Sequence, residues 1–140
     1  MKIISFEEKY RDDMIFMVLS AKNAIGRRPR LNEDLLDIKT NYFDKGQPFW
    51  IALDEFDRVI GCIGTKIKGD DIFLSRLFIK PDHKRLGIGS KLLKIAEESV
   101  KDRGYKEIHT HLGKDYLESH IFYPKHGYVE YEDCYMKKVL

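Results

Sequence analysis

Apolar and polar positions change their period several times along the chain, and each change marks an element. Lys2 to Phe6 suits a short strand. From Glu7 to about Asn23, Met14, Met17, Val18 and Ala21 return at the spacing of one helical face, and Gly26 ends that helix. Asn32 is a cap for a second helix carrying Leu35, Leu36, Ile38 and Tyr42, with Gly46 and Pro48 punctuating its end. Phe49–Leu53 and Val59–Ile67 read as strands joined by the charged turn Asp54–Asp57, and Gly69–Asp71 turns into a strand over Ile72–Ile79, an antiparallel meander. A helix at about Ser90–Arg103 places Leu92, Leu93, Ala96 and Val100 on one face, Gly104 stops it, and Glu107–Leu112 supplies another strand. A strand, a crossing helix and a strand imply parallel pairing across that step. A short helix around Tyr116–Phe122 leads to strands over Tyr128–Glu132 and Cys134–Val139. Pro124 disfavours helical geometry at Tyr123, so that helix is expected to end there. The pattern predicts an α/β (α+β) fold in one domain over residues 1–140.

The run Leu77–Leu93 carries the most chemistry. Leu77, Phe78 and Ile79 form strand, Pro81 stops it, and Gly87 and Gly89 allow a tight turn before the helix whose first N–H groups point back at that turn. Those donors and the helix dipole favour an anion. A P-loop would place lysine directly after the second glycine, but Ser90 stands there. A dinucleotide fingerprint would place a third glycine where Leu92 stands.

Lys84-Arg-Leu-Gly-Ile-Gly89 is similar to the R/Q-x-x-G-x-G/A signature of the GNAT superfamily of N-acetyltransferases. The resemblance extends upstream through Leu74–Pro81, which looks like that family's fourth strand, and downstream to Ile121–Tyr128, which looks like its x-F-Y-x-x-x-G-F/Y segment. It implies a mixed sheet of six or seven strands flanked by helices, with coenzyme A (CoA) entering a cleft between the fourth and fifth strands. It also implies acetyl-CoA as cosubstrate, and transfer of acetyl to a primary amine of a small molecule or peptide by direct attack in a ternary complex.

By that resemblance Leu77, Phe78 and Ile79 offer backbone groups to the acetyl and pantetheine portions, and Lys84, Arg85, Leu86, Gly87, Ile88, Gly89 and Ser90 form the pyrophosphate loop. Tyr123 matches the tyrosine that protonates the departing thiolate. Phe73 stands where many relatives carry a basic glutamate, which leaves His111 or a water chain to take the amine proton. Lys84 replaces the usual Arg or Gln, Arg85 stands where glycine is frequent, and Tyr116 replaces a pantetheine-binding asparagine. The loop residues Arg27, Arg28 and Arg30, with Phe49 and Trp50, are candidates for the acceptor side. A noncatalytic acyl-CoA-binding or sensing module of the same fold is the alternative reading.

Composition narrows the partners. Twenty-five basic against 23 acidic residues leave a net charge of +2, so no global field points to nucleic acid. Cys62 and Cys134 lack disulfide-framework or metal-ligand spacing, and Cys62 reads as core. No metal is expected, and a cytoplasmic setting is. Met14–Leu19 is too short to span a bilayer, so no membrane partner is expected, while a homodimer is left open.

Overall fold

Seven strands form one mixed sheet in the order β1-β2-β3-β4-β5-β7-β6 in the computed structural model, which describes residues 1–140. In chain order the elements are β1 (Lys2–Ser5), α1 (Arg11–Ala24), α2 (Ile38–Asn41), β2 (Phe49–Leu53), β3 (Val59–Lys68), β4 (Asp71–Ile79), α3 (Ile88–Asp102), β5 (Glu107–His111), α4 (Leu117–Lys125), β6 (Val129–Glu132) and β7 (Tyr135–Val139). Every neighbouring pair is antiparallel except β4 and β5, which the α3 crossover makes parallel. No helix is long and apolar enough to cross a membrane.

Strand alternation sends side chains into two cores. On one face Ile72 and Leu74 of β4 and Ile108 of β5 meet Leu92, Leu93, Ala96 and Val100 of α3, together with Tyr123. On the other, Phe49, Ile51 and Leu53 of β2 meet Met14, Met17 and Val18 of α1.

Two predicted helices differ most from expectation. The single helix expected after Asn32 is a 3₁₀ turn over Glu33–Leu36, the one-turn α2, and a second 3₁₀ turn over Phe43–Lys45. Asp37 causes the break: its backbone leaves the helical region and its carboxylate accepts a hydrogen bond from the Thr40 N–H, restarting the helix. Asn32 makes no capping bond, because its Oδ1 accepts from Lys22. The helix containing Tyr123 does not stop there but runs to Lys125 with Pro124 inside its last turn. Near a helix end the missing proline N–H forfeits only one ladder bond, and Gly127 at φ 92° completes the exit.

The sheet opens between β4 and β5. The parallel pair has a single bridge, Phe73 with His109, and β4 then continues for six residues to Ile79 without a further bridge to β5. Between Cys62 and Gly64 the β3–β4 register slips, and Arg76 sits opposite at φ 58°, a bulge that bends β4.

Candidate active site

The cleft between the strands is lined on one side by backbone. Beyond Phe73 the edge of β4 facing β5 has no strand partner, so Leu77, Phe78 and Ile79 border the cleft with backbone groups on that edge. At its end α3 begins on Gly87, which adopts the left-handed conformation at φ 80°. The helix starts at Ile88, two residues before the expected Ser90, so Gly89 lies within its first turn. Lys91 N–H to Gly87 O is its first ladder bond. The N–H groups of Ile88, Gly89 and Ser90 therefore have no intrahelical partner. No side chain caps this terminus and its first turn holds no acid, leaving the positive end of a 15-residue helix uncompensated. These features fit a diphosphate without further donors.

The side chains around the turn are only partly free. Arg85 occupies the left-handed region at φ 65°, where a glycine would be unstrained. Lys84 Nζ is 2.8 Å from Glu118 Oε2 on α4, and Ser90 Oγ is 3.0 Å from His126 Nε2. Leu86 is exposed.

Tyr123 and Tyr128 lie edge to face at 5.2 Å, but their hydroxyls differ. Tyr128 donates to Glu97 Oε2 at 2.7 Å, which commits its proton. The Tyr123 hydroxyl instead lies beside Thr110 of β5. Burial pushes Tyr123 up to about 12, with Thr110 opposing and the Glu97 charge adding, so its phenol keeps its proton at neutral pH.

Across the sheet from Tyr123, residues from α1 and the loop after it form a polar wall. Lys22 is buried; its Nζ donates to Arg30 O at 2.8 Å and Asn32 Oδ1 at 2.9 Å, and it lies 5.9 Å from the Phe78 ring. Burial, then the charges of Arg76 and Arg27, hold its pKa below the ordinary lysine value, with Asp34 opposing. Arg76 donates to both oxygens of Asp34, at 3.1 and 3.0 Å, and Tyr42 donates to the same carboxylate at 2.7 Å. Asp34 is thus occupied as a charge partner and poorly suited to act as a base. Sequence reading missed this group because its members are far apart in the chain, Asp34 and Arg76 by 42 residues. Only the positive φ of Arg76, invisible in a non-glycine residue, marks the bulge that aims it.

His111, the last residue of β5, points to the face opposite Thr110 and stacks on Tyr135 at 4.1 Å. Partial burial, followed by the charges of Lys68 and Lys66, lowers its pKa, which favours the neutral imidazole. It helps line a cavity of about 350 Å³ with Leu112, Gly113, Lys114, Asp133 and Cys134.

Arg27 reaches from the loop after α1 to the turn before α4, with its guanidinium 4.2 Å over Tyr116 and Nη2 3.2 Å from Asp115. Tyr116, at the position of the missing asparagine, serves as its platform. Arg28 and Arg30 are exposed and form no ion pair. Trp50 packs against the α3-side core from β2, with β3 between it and β4, and Phe49 is fully buried on the α1 side. Trp50 thus stands two strands away from β4, whereas Arg30 meets the polar wall through its carbonyl, which accepts from Lys22. His120 is half-buried, its Nε2 3.1 Å from Gly113 O. Cys62 is buried, its thiol pushed up to about 12 by that burial, which removes it as a nucleophile.

Comparison with known proteins gives the same picture at family level. The sequence pattern described as an acetyltransferase (GNAT) domain matches residues 45–130. N-acetyltransferase 8 of Homo sapiens is 28% identical over 102 residues, covering 68% of this chain and 44% of that protein. The chain spans less than half the length of the curated relatives it matches. Among solved structures, a GNAT-family acetyltransferase of Staphylococcus aureus Mu50 superposes with a TM-score of 0.89 at 22% identity, covering 99% of this chain and 98% of that one. The PaiA N-acetyltransferase of Thermoplasma acidophilum, crystallised with coenzyme A, superposes with a TM-score of 0.80 at 20% identity over 99% and 98% of the two chains.

Proposed function

The chain belongs to the GNAT acetyltransferase family, and from that premise we propose that residues 1–140 act as one domain transferring acetyl from acetyl-CoA to a primary amine of a small molecule or peptide. The observation that carries the reading is the uncapped, acid-free start of α3 beside the unpartnered edge of β4. Together they offer donors for a diphosphate and an extended edge for the arm that follows it.

Acetyl-CoA supplies an activated thioester. The residues of this chain align it, receive one proton and return another. Lys84 to Ser90 hold the diphosphate, and the β4 edge at Leu77–Ile79 orients the thioester, a strand N–H facing the carbonyl oxygen as charge gathers there. The neutral amine attacks the carbonyl carbon; the N–C bond forms, the C–S bond breaks, and Tyr123 gives its proton to the sulfur. His111, neutral at physiological pH, receives the amine proton directly or through water. The basic wall of Lys22 and Arg27 flanks the acceptor and suits a molecule with an anionic group.

The test is release of CoA thiol from acetyl-CoA across a panel of primary amines, among them amino acids, polyamines and peptide N-termini. Turnover with at least one amine is expected. Tight acyl-CoA binding with no transfer to any acceptor would favour the noncatalytic module, which Phe73 in place of a β4 carboxylate also suits.

A further inference from the structure

At the closed end of the strand gap, away from the glycine turn, three side chains converge that acetyl transfer does not use. Asp71 opens β4, and Glu107 and His109 stand two apart on β5, so all three project from one sheet face. His109 Nε2 is 3.1 Å from Glu107 Oε1 and 3.5 Å from Asp71 Oδ1, and one donor atom from each residue lies within 4.8 Å of the others. The imidazole is 5% exposed and held against Phe73 at 5.2 Å, with Nδ1 2.9 Å from the Tyr131 hydroxyl.

We propose that Asp71, Glu107 and His109 bind a divalent transition-metal ion of the zinc type. Zinc bonds of roughly 2.0–2.2 Å place tetrahedral ligands about 3.4 Å apart, and the two separations from Nε2 fall on either side of that figure. An oxygen at the remote ring nitrogen is what fixes a metal-ligating histidine: with Nδ1–H donated to Tyr131, Nε2 presents its lone pair to two carboxylates. A cation among them reconciles those three acceptors. In the other tautomer a single Nε2–H serves Glu107, and Asp71 has no hydrogen-bonded partner in the protein. Lys137 Nζ, 3.8 Å from Glu107 Oε2, is the nearest fixed positive charge and reaches only one of the carboxylates.

One imidazole with two carboxylates suits zinc and its neighbours, whereas calcium and magnesium prefer all-oxygen sets. Asp71 and Glu107 are 52% and 40% exposed, which leaves the outer side open to water as a fourth ligand. The ion would sit beside the lone Phe73–His109 bridge and pin β4 to β5 where they part. No sequence motif marks the group, since Asp71 lies 36 residues before Glu107, outside any local spacing.

The test uses tag-free, chelator-treated protein titrated with Zn²⁺ by calorimetry, with thermal melts in parallel. One ion per chain and a rise in Tm are expected with Zn²⁺, and no Tm change with equimolar Ca²⁺. Asp71→Asn at an exposed position and Glu107→Gln at a half-buried one should each weaken Zn²⁺ binding at least tenfold while circular dichroism stays unchanged. Absence of saturable binding by the parent protein overturns the proposal, and so does binding that both variants leave intact.

Discussion

Tyr123 and Tyr128 have their rings 5.2 Å apart, yet their hydroxyls stand in different surroundings. Tyr128 is tied to Glu97, which also takes a hydrogen bond from Lys138 at 3.2 Å, a structural cluster joining α3 to the last hairpin. Tyr123 is buried with its hydroxyl uncommitted to a charge, as a proton donor requires. Tyr123→Phe should lower kcat by about 10²-fold or more with little change in KM for acetyl-CoA, as steady-state kinetics would report. Tyr128→Phe should chiefly lower Tm. His111→Gln should lower kcat by a similar factor if the imidazole takes the amine proton, whereas an unchanged kcat would assign that task to water.

At the scale of elements, the α3 start was the most legible part of the chain. Two glycines between a strand and an amphipathic helix report a tight turn with free donors; Gly87 makes that turn at φ 80°, while Gly89 belongs to the first turn of the helix. Gly87→Ala would force a side chain into φ 80° with nothing crowding it, so the penalty is conformational, about 1–2 kcal/mol, and should appear as weaker CoA binding by calorimetry more than as misfolding. Less legible were the segments that a single side chain decides. Asp37 interrupts a helix whose apolar spacing is continuous, and Pro124 is tolerated because only its position near the helix end makes its missing N–H cheap. The polar wall was least legible, since Asp34, Tyr42 and Arg76 meet only through the β4 bulge. At Gly64 an added Cβ would lie 2.5 Å from the Phe49 ring, so Gly64→Ala should destabilise the α1-side core by about 1–3 kcal/mol in urea unfolding.

For the whole molecule, acid sensitivity follows from two carboxylates that link distant segments. Hydrogen bonds from Arg58 hold Asp13 below its ordinary value of 3.8. Burial alone would raise Asp34, but the Arg76 and Tyr42 hydrogen bonds and the Arg76 charge outweigh it and lower that group too. Both bind protons less readily folded than unfolded. Their contribution is therefore complete above the unfolded carboxylate range of about 4 and is lost as pH falls through the depressed folded values. Asp34→Asn should flatten part of the acid limb of a Tm-against-pH curve while lowering Tm at pH 7.

The splayed pair β4 and β5 unites these scales: one bridge, a bulge and a crossing helix produce an open edge that ends on an uncapped helix start. Titrating acetyl-CoA into the folded protein by calorimetry tests that arrangement most directly. One molecule bound per chain, with a Kd in the range of about 1 μM to 1 mM typical of enzyme substrates and roughly tenfold weaker binding in Gly87→Ala, is the expected result. No saturable heat with acetyl-CoA or CoA, from protein whose melting shows it to be folded, would contradict it.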